Sequence, residues 1–145
     1  MRVAFASNLA FANYPLIRQY LERLHRAYGK AFVIVTSNVS TAELMATRYA
    51  DAHALPVVYH HPDYSRDDLD CGHRPNERLM KDAEALIVFG DRMTRGLQCA
   101  LAVAEASGVP AWMVWPDGRI VWQGREEDIG RDTSALMSML LAEAM

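Results

Sequence analysis

The sequence predicts an α/β fold of Rossmann-like build, a three-layer α/β/α sandwich around a mostly parallel sheet. Short apolar segments alternate with segments of helical periodicity along the chain, which is typical of a parallel sheet covered on both faces. Two apolar segments on either side of Pro116-Asp-Gly118 add an antiparallel strand at the end. The 145 residues suit one domain over 1–145.

Local signals place the elements of the first half. Gly29 follows the first helical segment, at the position where a glycine usually ends a helix. Ser40 or Thr41 is the expected N-cap of the second helix, and Glu43 is placed to add to that cap. The predicted elements are a strand at Arg2–Ala6, a helix at about 14–28, a strand at Ala31–Thr36, a helix at about 41–54 and a strand at Leu55–His60.

The second half opens with a long polar loop, and loops of that length are usually functional. After it, apolar strands again alternate with helical segments, and Gly108 ends one of the helices. The predicted elements are a loop at His61–Pro75, a helix at Asn76–Ala83, strands at Ala85–Phe89, Ala111–Trp115 and Arg119–Gln123, and helices at Leu97–Ser107 and about 132–144.

Composition excludes several classes of function. The net charge is -3 with scattered arginines and no basic run, which argues against binding of duplex nucleic acid. No apolar stretch reaches the length of a membrane span, and the amino terminus has no clear cleavage site, so we expect no membrane partner and a cytoplasmic location. Cys71 and Cys99 match no zinc spacing, and we expect both to be reduced thiols.

Histidine and acidic residues between 60 and 73 raise the question of a metal site. Their spacing fits no standard zinc or calcium template, so a solvated acidic loop over the pocket is the favoured interpretation. We therefore expect no metal and no cofactor.

The fold indicates where a ligand would bind. Ligands of open α/β sheets bind outside the carboxyl ends of the strands, and three strand-to-helix segments fall there: Ser7–Asn13, Ser37–Thr41 and Gly90–Gly96. Helix amino termini suit phosphate, although the same serines and threonines are good caps and the same arginines are ordinary loop residues. The candidate ligand-binding residues here are Ser7, Asn8, Ser37, Asn38, Ser40, Thr41, Arg92, Arg95 and Gly96.

Asp91 and Glu43 are the carboxylates nearest this edge, and each is a candidate base or an ordinary surface charge or cap. Trp112, Trp115 and Trp122 lie in the terminal hairpin. Core packing is the expected role of these tryptophans, whereas exposed ones would indicate a dimer or partner interface.

The middle of the chain resembles the SLOG superfamily of Rossmann-like domains, especially its small YspA-like members. Cys71-Gly-His-Arg-Pro-Asn-Glu-Arg-Leu-Met80 is similar to the Gly-Pro-x-Arg-Asn-x-x-Met segment of that family, and the likeness extends over about residues 2–115. It implies a nucleotide-type ligand, with Arg74 and Asn76 closing the pocket, and self-association into a homo-oligomer.

The glycine-rich turns of the family are replaced in this chain. Ser7-Asn8, Ser37–Glu43 and Gly90–Gly96 stand in their place, and Ala100 stands where family hydrolases carry a glutamate. Because glycine lets a backbone approach phosphate closely, these changes favour binding without turnover.

The sequence thus predicts a nucleotide-binding or nucleotide-sensing domain. The first alternative is an N-glycosidic hydrolase or transferase that uses Asp91 or Glu43 with Arg74 or Arg78. The others are a ligand-free adaptor that binds a protein through the tryptophan hairpin, and a thioredoxin-like domain without its Cys-x-x-Cys pair.

Overall fold

The computed structural model describes residues 1–8, 11, 13–60 and 73–122, with the backbone alone described for 73–77 and Trp122. A single 3₁₀ turn at Gly29–Ala31 follows the first helix. In chain order the other elements are β1 (Arg2–Ser7), α1 (Tyr14–Tyr28), β2 (Val33–Thr36), α2 (Thr41–His53), β3 (Val57–Tyr59), α3 (His73–Asp82), β4 (Ala85–Phe89), α4 (Arg95–Ala106), β5 (Ala111–Val114) and β6 (Ile120–Trp122).

The six strands form one sheet in the order β3-β2-β1-β4-β5-β6. The first five are parallel, and β6 pairs antiparallel with β5, which confirms the predicted fold class. The strand order reverses between β1 and β4, whose pairing runs from Val3 opposite Ala85 to Ser7 opposite Phe89. In doubly wound sheets ligands bind at such a switch point, outside the carboxyl ends of the strands.

The sheet is covered on both faces. Side chains of α1 and α2 form one buried cluster with Val3 and Phe5, whereas side chains of α3 and α4 form another with Ala4. Successive residues of a strand point to opposite faces, so β1 serves both layers alternately. All five residues of β4 are buried, as its continuous apolar sequence predicts for a central parallel strand.

Several boundaries differ from the sequence prediction. The helix α4 starts two residues early, at Arg95, because the Thr94 side chain accepts a hydrogen bond from the Leu97 N–H at 3.3 Å. The helix α3 begins at His73 rather than Asn76. The helix α2 ends at His53, one residue before its predicted end, and the C-cap residue Ala54 adopts the left-handed conformation that glycine usually supplies.

Trp112 is fully buried in the sheet, which fits the core role expected of it. Cys99 is disulfide-bonded, so the prediction of a reduced thiol is wrong for this residue. The error has a physical reason: disulfides join residues that the fold brings together, and spacing along the chain does not show this. The disulfide also removes the argument for a reducing compartment that rested on free thiols.

Three predicted features lie partly or wholly outside the described residues. They are positions 61–72 of the polar loop, which include Cys71, the end of the last predicted strand, and the whole predicted helix at about 132–144. Within the described part of the chain, no helix has the length and apolar character needed to cross a membrane.

Candidate functional site at the carboxyl edge

The end of β1 places two polar side chains on opposite faces of the sheet. Ser7 continues the face of Val3 and Phe5, and its hydroxyl oxygen accepts a hydrogen bond from the Ala42 N–H of α2 at 3.0 Å. Asn8 lies next along the chain, and its Oδ1 accepts a hydrogen bond from the Asp91 N–H, in the turn before α4, at 3.2 Å. Two adjacent residues therefore hold two helix starts: Ser7 bonds the first turn of α2, and Asn8 bonds the turn before α4.

Asn8 carries an unsatisfied donor at the switch point. The residue is 6% exposed, and its Nδ2 is buried without a hydrogen-bond partner among the described residues. The amide orientation follows from the Asp91 contact, because a flipped side chain would point a donor at the Asp91 N–H. A buried donor left without an acceptor costs about 1–3 kcal/mol, so an acceptor atom of a ligand at this point would be stabilised.

Gly90 permits the close contact between the two turns. A Cβ at this position would lie 2.7 Å from Asn8 Oδ1 and 2.9 Å from Leu97 Cδ1. No side chain fits there without displacing Asn8, which explains why a glycine stands at the end of β4.

The first turn of α4 offers donors at the same edge. Thr94 is the N-cap and satisfies the Leu97 N–H, while no hydrogen bond within the described residues engages the Gly96 N–H. Arg92 and Arg95 are both exposed beside it. A helix amino terminus with unpaired N–H groups and adjacent guanidinium groups suits an anion.

The turn between β2 and α2 is different, because a carboxylate of the protein fills it. Glu43 is 3% exposed, and its Oε2 accepts hydrogen bonds from the Ser37 N–H at 2.6 Å, the Ser37 hydroxyl at 2.9 Å and the Thr36 hydroxyl at 3.2 Å. Its Oε1 accepts a hydrogen bond from the Ser40 hydroxyl at 3.0 Å. Both oxygens of the Glu43 carboxylate therefore accept hydrogen bonds.

This arrangement extends the usual capping box. Ser40 is the N-cap, and its hydroxyl oxygen accepts from the Glu43 N–H at 3.4 Å. In a standard box the glutamate would reach back to the N–H of the cap residue, whereas Glu43 reaches the Ser37 N–H instead. The Glu43 side chain therefore fixes the whole turn.

Asn38 completes the turn in the left-handed region, with φ of 58°. Its Oδ1 accepts a hydrogen bond from the Thr47 hydroxyl at 2.6 Å, and its backbone N–H donates to Thr36 Oγ1 at 3.0 Å. Asparagine tolerates this conformation better than most residues because its short polar side chain bonds locally.

The other predicted site residues lie on α3. Arg78 is exposed on α3, and the side chains of Arg74 and Asn76 lie outside the described residues. From the histidine-rich segment, His60 pairs with Asp82 at 2.6 Å, which joins β3 to the end of α3. The described part of the chain holds no cluster of three metal-binding side chains.

Sequence reasoning missed Thr36, Thr47 and Thr94, which hold the two turns in place. Thr94 carries a usable signal, since a threonine directly before a helical segment is a preferred cap. No local sequence pattern marks Thr36 and Thr47, because their hydrogen-bond partners are set by the tertiary arrangement of β2 and α2.

Comparison with known proteins adds the family. Residues 1–66, which include β1, α1, β2, α2 and β3, match the model of the YspA, cpYpsA-related SLOG family. This part of the chain is similar to the SLOG superfamily. The match agrees with the predicted resemblance over residues 1–66, whereas the segment Cys71–Met80 lies outside the matched residues. It supports a nucleotide-related role for the domain. The searches of curated proteins and of solved structures gave no match.

The contact between the SLOG segment's first strand and α2 yields a stability prediction. Ser7→Ala removes the acceptor of the Ala42 N–H in a buried position, and we expect the free energy of unfolding to fall by about 1 kcal/mol. Urea denaturation measures this, with Ser107→Ala at an exposed position as the control. If Ser7→Ala lowered the free energy of unfolding no more than Ser107→Ala does, the Ser7 contact would not stabilise the protein.

Proposed function

We propose that the protein binds a nucleotide or a nucleotide-derived ligand, such as a nucleoside phosphate, ADP-ribose or an NAD-like molecule, and acts as a sensor or binding protein. The observation that carries the proposal is the Nδ2 of Asn8, which has no hydrogen-bond partner among the described residues and is buried where the strand order reverses between β1 and β4. A buried polar group without a partner is rare in a folded protein, and a donor at a switch point is well placed to bind an acceptor atom of a ligand.

The surroundings of Asn8 favour an anionic group on the ligand. Asn8 holds the turn before α4 through the Asp91 N–H. This turn carries the exposed Arg92 guanidinium and leads into the first turn of α4, with the Gly96 N–H and the positive end of the helix dipole. Phosphate oxygens accept hydrogen bonds and carry the charge that these groups favour. This agreement in chemistry supports a phosphate-bearing ligand.

Binding without turnover is the version of this function that the residues favour. Ala100, which stands where the resembled hydrolases carry a glutamate, is buried in α4 and has no group for acid–base chemistry. The Glu43 carboxylate already accepts four hydrogen bonds from its own turn. Asp91 is exposed, and its N–H rather than its carboxylate makes the contact with Asn8.

A nucleotide panel tests the proposal. Isothermal titration and thermal unfolding with AMP, ADP, ATP, GMP, NAD and ADP-ribose would give dissociation constants and shifts of melting temperature. A ligand at about 100 times its Kd should add about 2.7 kcal/mol to the free energy of unfolding. Arg92→Ala should weaken binding of that ligand about tenfold or more, the loss of one charge-assisted hydrogen bond.

The matched control is Arg48→Ala, since Arg48 is also exposed but lies in the second half of α2, away from the carboxyl edge. It should bind as the wild-type protein does. Absence of binding across the panel, or an equal loss in both arginine variants, would contradict the proposal.

A further inference from the structure

The starts of α2 and α4 reach the same edge of the sheet through Ser7, the last residue of β1, and Asn8, which follows it. Ser7 contacts the Ala42 N–H of α2, and Asn8 contacts the Asp91 N–H before α4. Both helix starts would ordinarily suit an anion. What distinguishes the two helix starts is how far the protein itself satisfies their donors.

At α2 the protein supplies its own acceptors. The Ala42 N–H donates to Ser7, the Glu43 N–H donates to the Ser40 hydroxyl, and the Leu44 N–H donates to the Ser40 carbonyl at 3.0 Å. A hydroxyl has one proton, so a serine that donates to Glu43 has none left for phosphate. The hydroxyls of Ser37 and Ser40 are both committed in this way.

The charge at α2 also opposes an anion. Among the described residues no cation forms an ion pair with Glu43, and its carboxylate is stabilised there by hydrogen bonds and the helix dipole. A second negative charge about 7 Å away would be repelled by roughly 2 kcal/mol at the effective dielectric of a protein surface.

We infer that Glu43 is a specificity determinant: its carboxylate fills the anion position at the start of α2, so ligand phosphate binds at the start of α4 and the ligand group nearest α2 is uncharged. The inference rests on the proposed function for the identity of the ligand. It reassigns Ser37 and Ser40 from phosphate contacts to holders of Glu43.

Inorganic phosphate tests the inference separately from nucleotide binding. Titration followed by ¹H–¹⁵N correlation spectra at low ionic strength should shift the Gly96 and Asp91 amides of the wild-type protein. The amides of Ala42 and Leu44 should stay unchanged. In Glu43→Gln, which removes the charge and keeps the shape, phosphate should also shift Ala42 and Leu44.

The glutamine fits because its carbonyl oxygen accepts the three donors of Oε2 while its amide donates to Ser40 Oγ, whose hydroxyl can turn. The matched control is Glu105→Gln, an exposed glutamate on α4, which should respond as the wild-type protein does. Saturable shifts of Ala42 in the wild-type protein, or none at α2 in Glu43→Gln, would overturn the inference.

Two ligands extend the test to specificity. The wild-type protein should bind adenosine 5′-monophosphate at least about tenfold more tightly than adenosine 3′,5′-bisphosphate, and Glu43→Gln should reduce that ratio towards one. An unchanged ratio would overturn the inference while nucleotide binding stands. Phosphate shifts confined to Gly96 and Asp91 in a protein that binds no nucleotide would overturn the proposed function and leave the inference standing.

Discussion

Glu43→Ala is expected to lower the free energy of unfolding by about 3 kcal/mol. The substitution removes an acceptor that receives one backbone N–H and three hydroxyl groups in a site that is 3% exposed. Hydrogen bonds to a charged group contribute about 1.5–3 kcal/mol each, and a buried donor left unpaired costs about 1–3 kcal/mol. The hydroxyl groups recover part of this loss by rotating, whereas the Ser37 N–H has no such freedom.

Urea denaturation of the wild-type protein and two variants measures the effect. Glu105→Ala is the control, because it makes the same chemical change at an exposed helical position and should alter stability by less than about 0.5 kcal/mol. Glu43→Gln should fall between the two. A Glu43→Ala variant as stable as Glu105→Ala would show that the turn after β2 does not depend on the carboxylate.

Gly90→Ala is expected to destabilise the protein by about 2 kcal/mol and to abolish the proposed nucleotide binding. The added Cβ would meet Asn8 Oδ1 at 2.7 Å, Leu97 Cδ1 at 2.9 Å and Met113 Cε at 3.1 Å, so at least two side chains must move. Forcing a methyl group into a packed site costs about 1–3 kcal/mol. Displacement of Asn8 also breaks its contact with the Asp91 N–H, which holds the turn before α4.

Thermal or urea unfolding gives the stability change, and titration with whichever nucleotide the wild-type protein binds gives the affinity. Gly96→Ala separates the clash from the loss of a glycine as such, because nothing lies within 4 Å of a Cβ built at Gly96. We expect Gly96→Ala to be neutral or slightly stabilising, since alanine favours helix more than glycine does. Equal destabilisation by the two substitutions would contradict the packing explanation.

Much of the fold is predictable because its signals are local. The bounds of β4 are those that its apolar run predicts, and Ser40, one of the two predicted caps, begins α2. The predicted start of α4 was late by two residues because the apolar pattern begins at Leu97, whereas the cap, Thr94, lies three residues before it. Apolar periodicity marks the buried face of a helix, and only the cap marks its first residue.

The candidate site is less predictable than the fold. Position at the ends of strands selects Ser7, Asn8 and Glu43 from the sequence, but their roles depend on which atoms meet. Ser7 and Asn8 look equivalent as neighbours in the chain, yet the alternation of β1 sends Ser7 to α2 and Asn8 to the turn before α4. Whether Glu43 faces solvent, a ligand or its own turn is likewise a matter of packing.

The sequence by itself determined the α/β class and the order of strands and helices over the described residues, because apolar periodicity and capping are properties of neighbouring residues. Only the tertiary structure decided that Asn8 Nδ2 has no partner among the described residues, that Gly90 has no room for a Cβ and that Glu43 bonds to the turn before α2. These features join residues far apart in the chain. Their distances are set by how β1, β4 and the two helix layers pack, which no local pattern records.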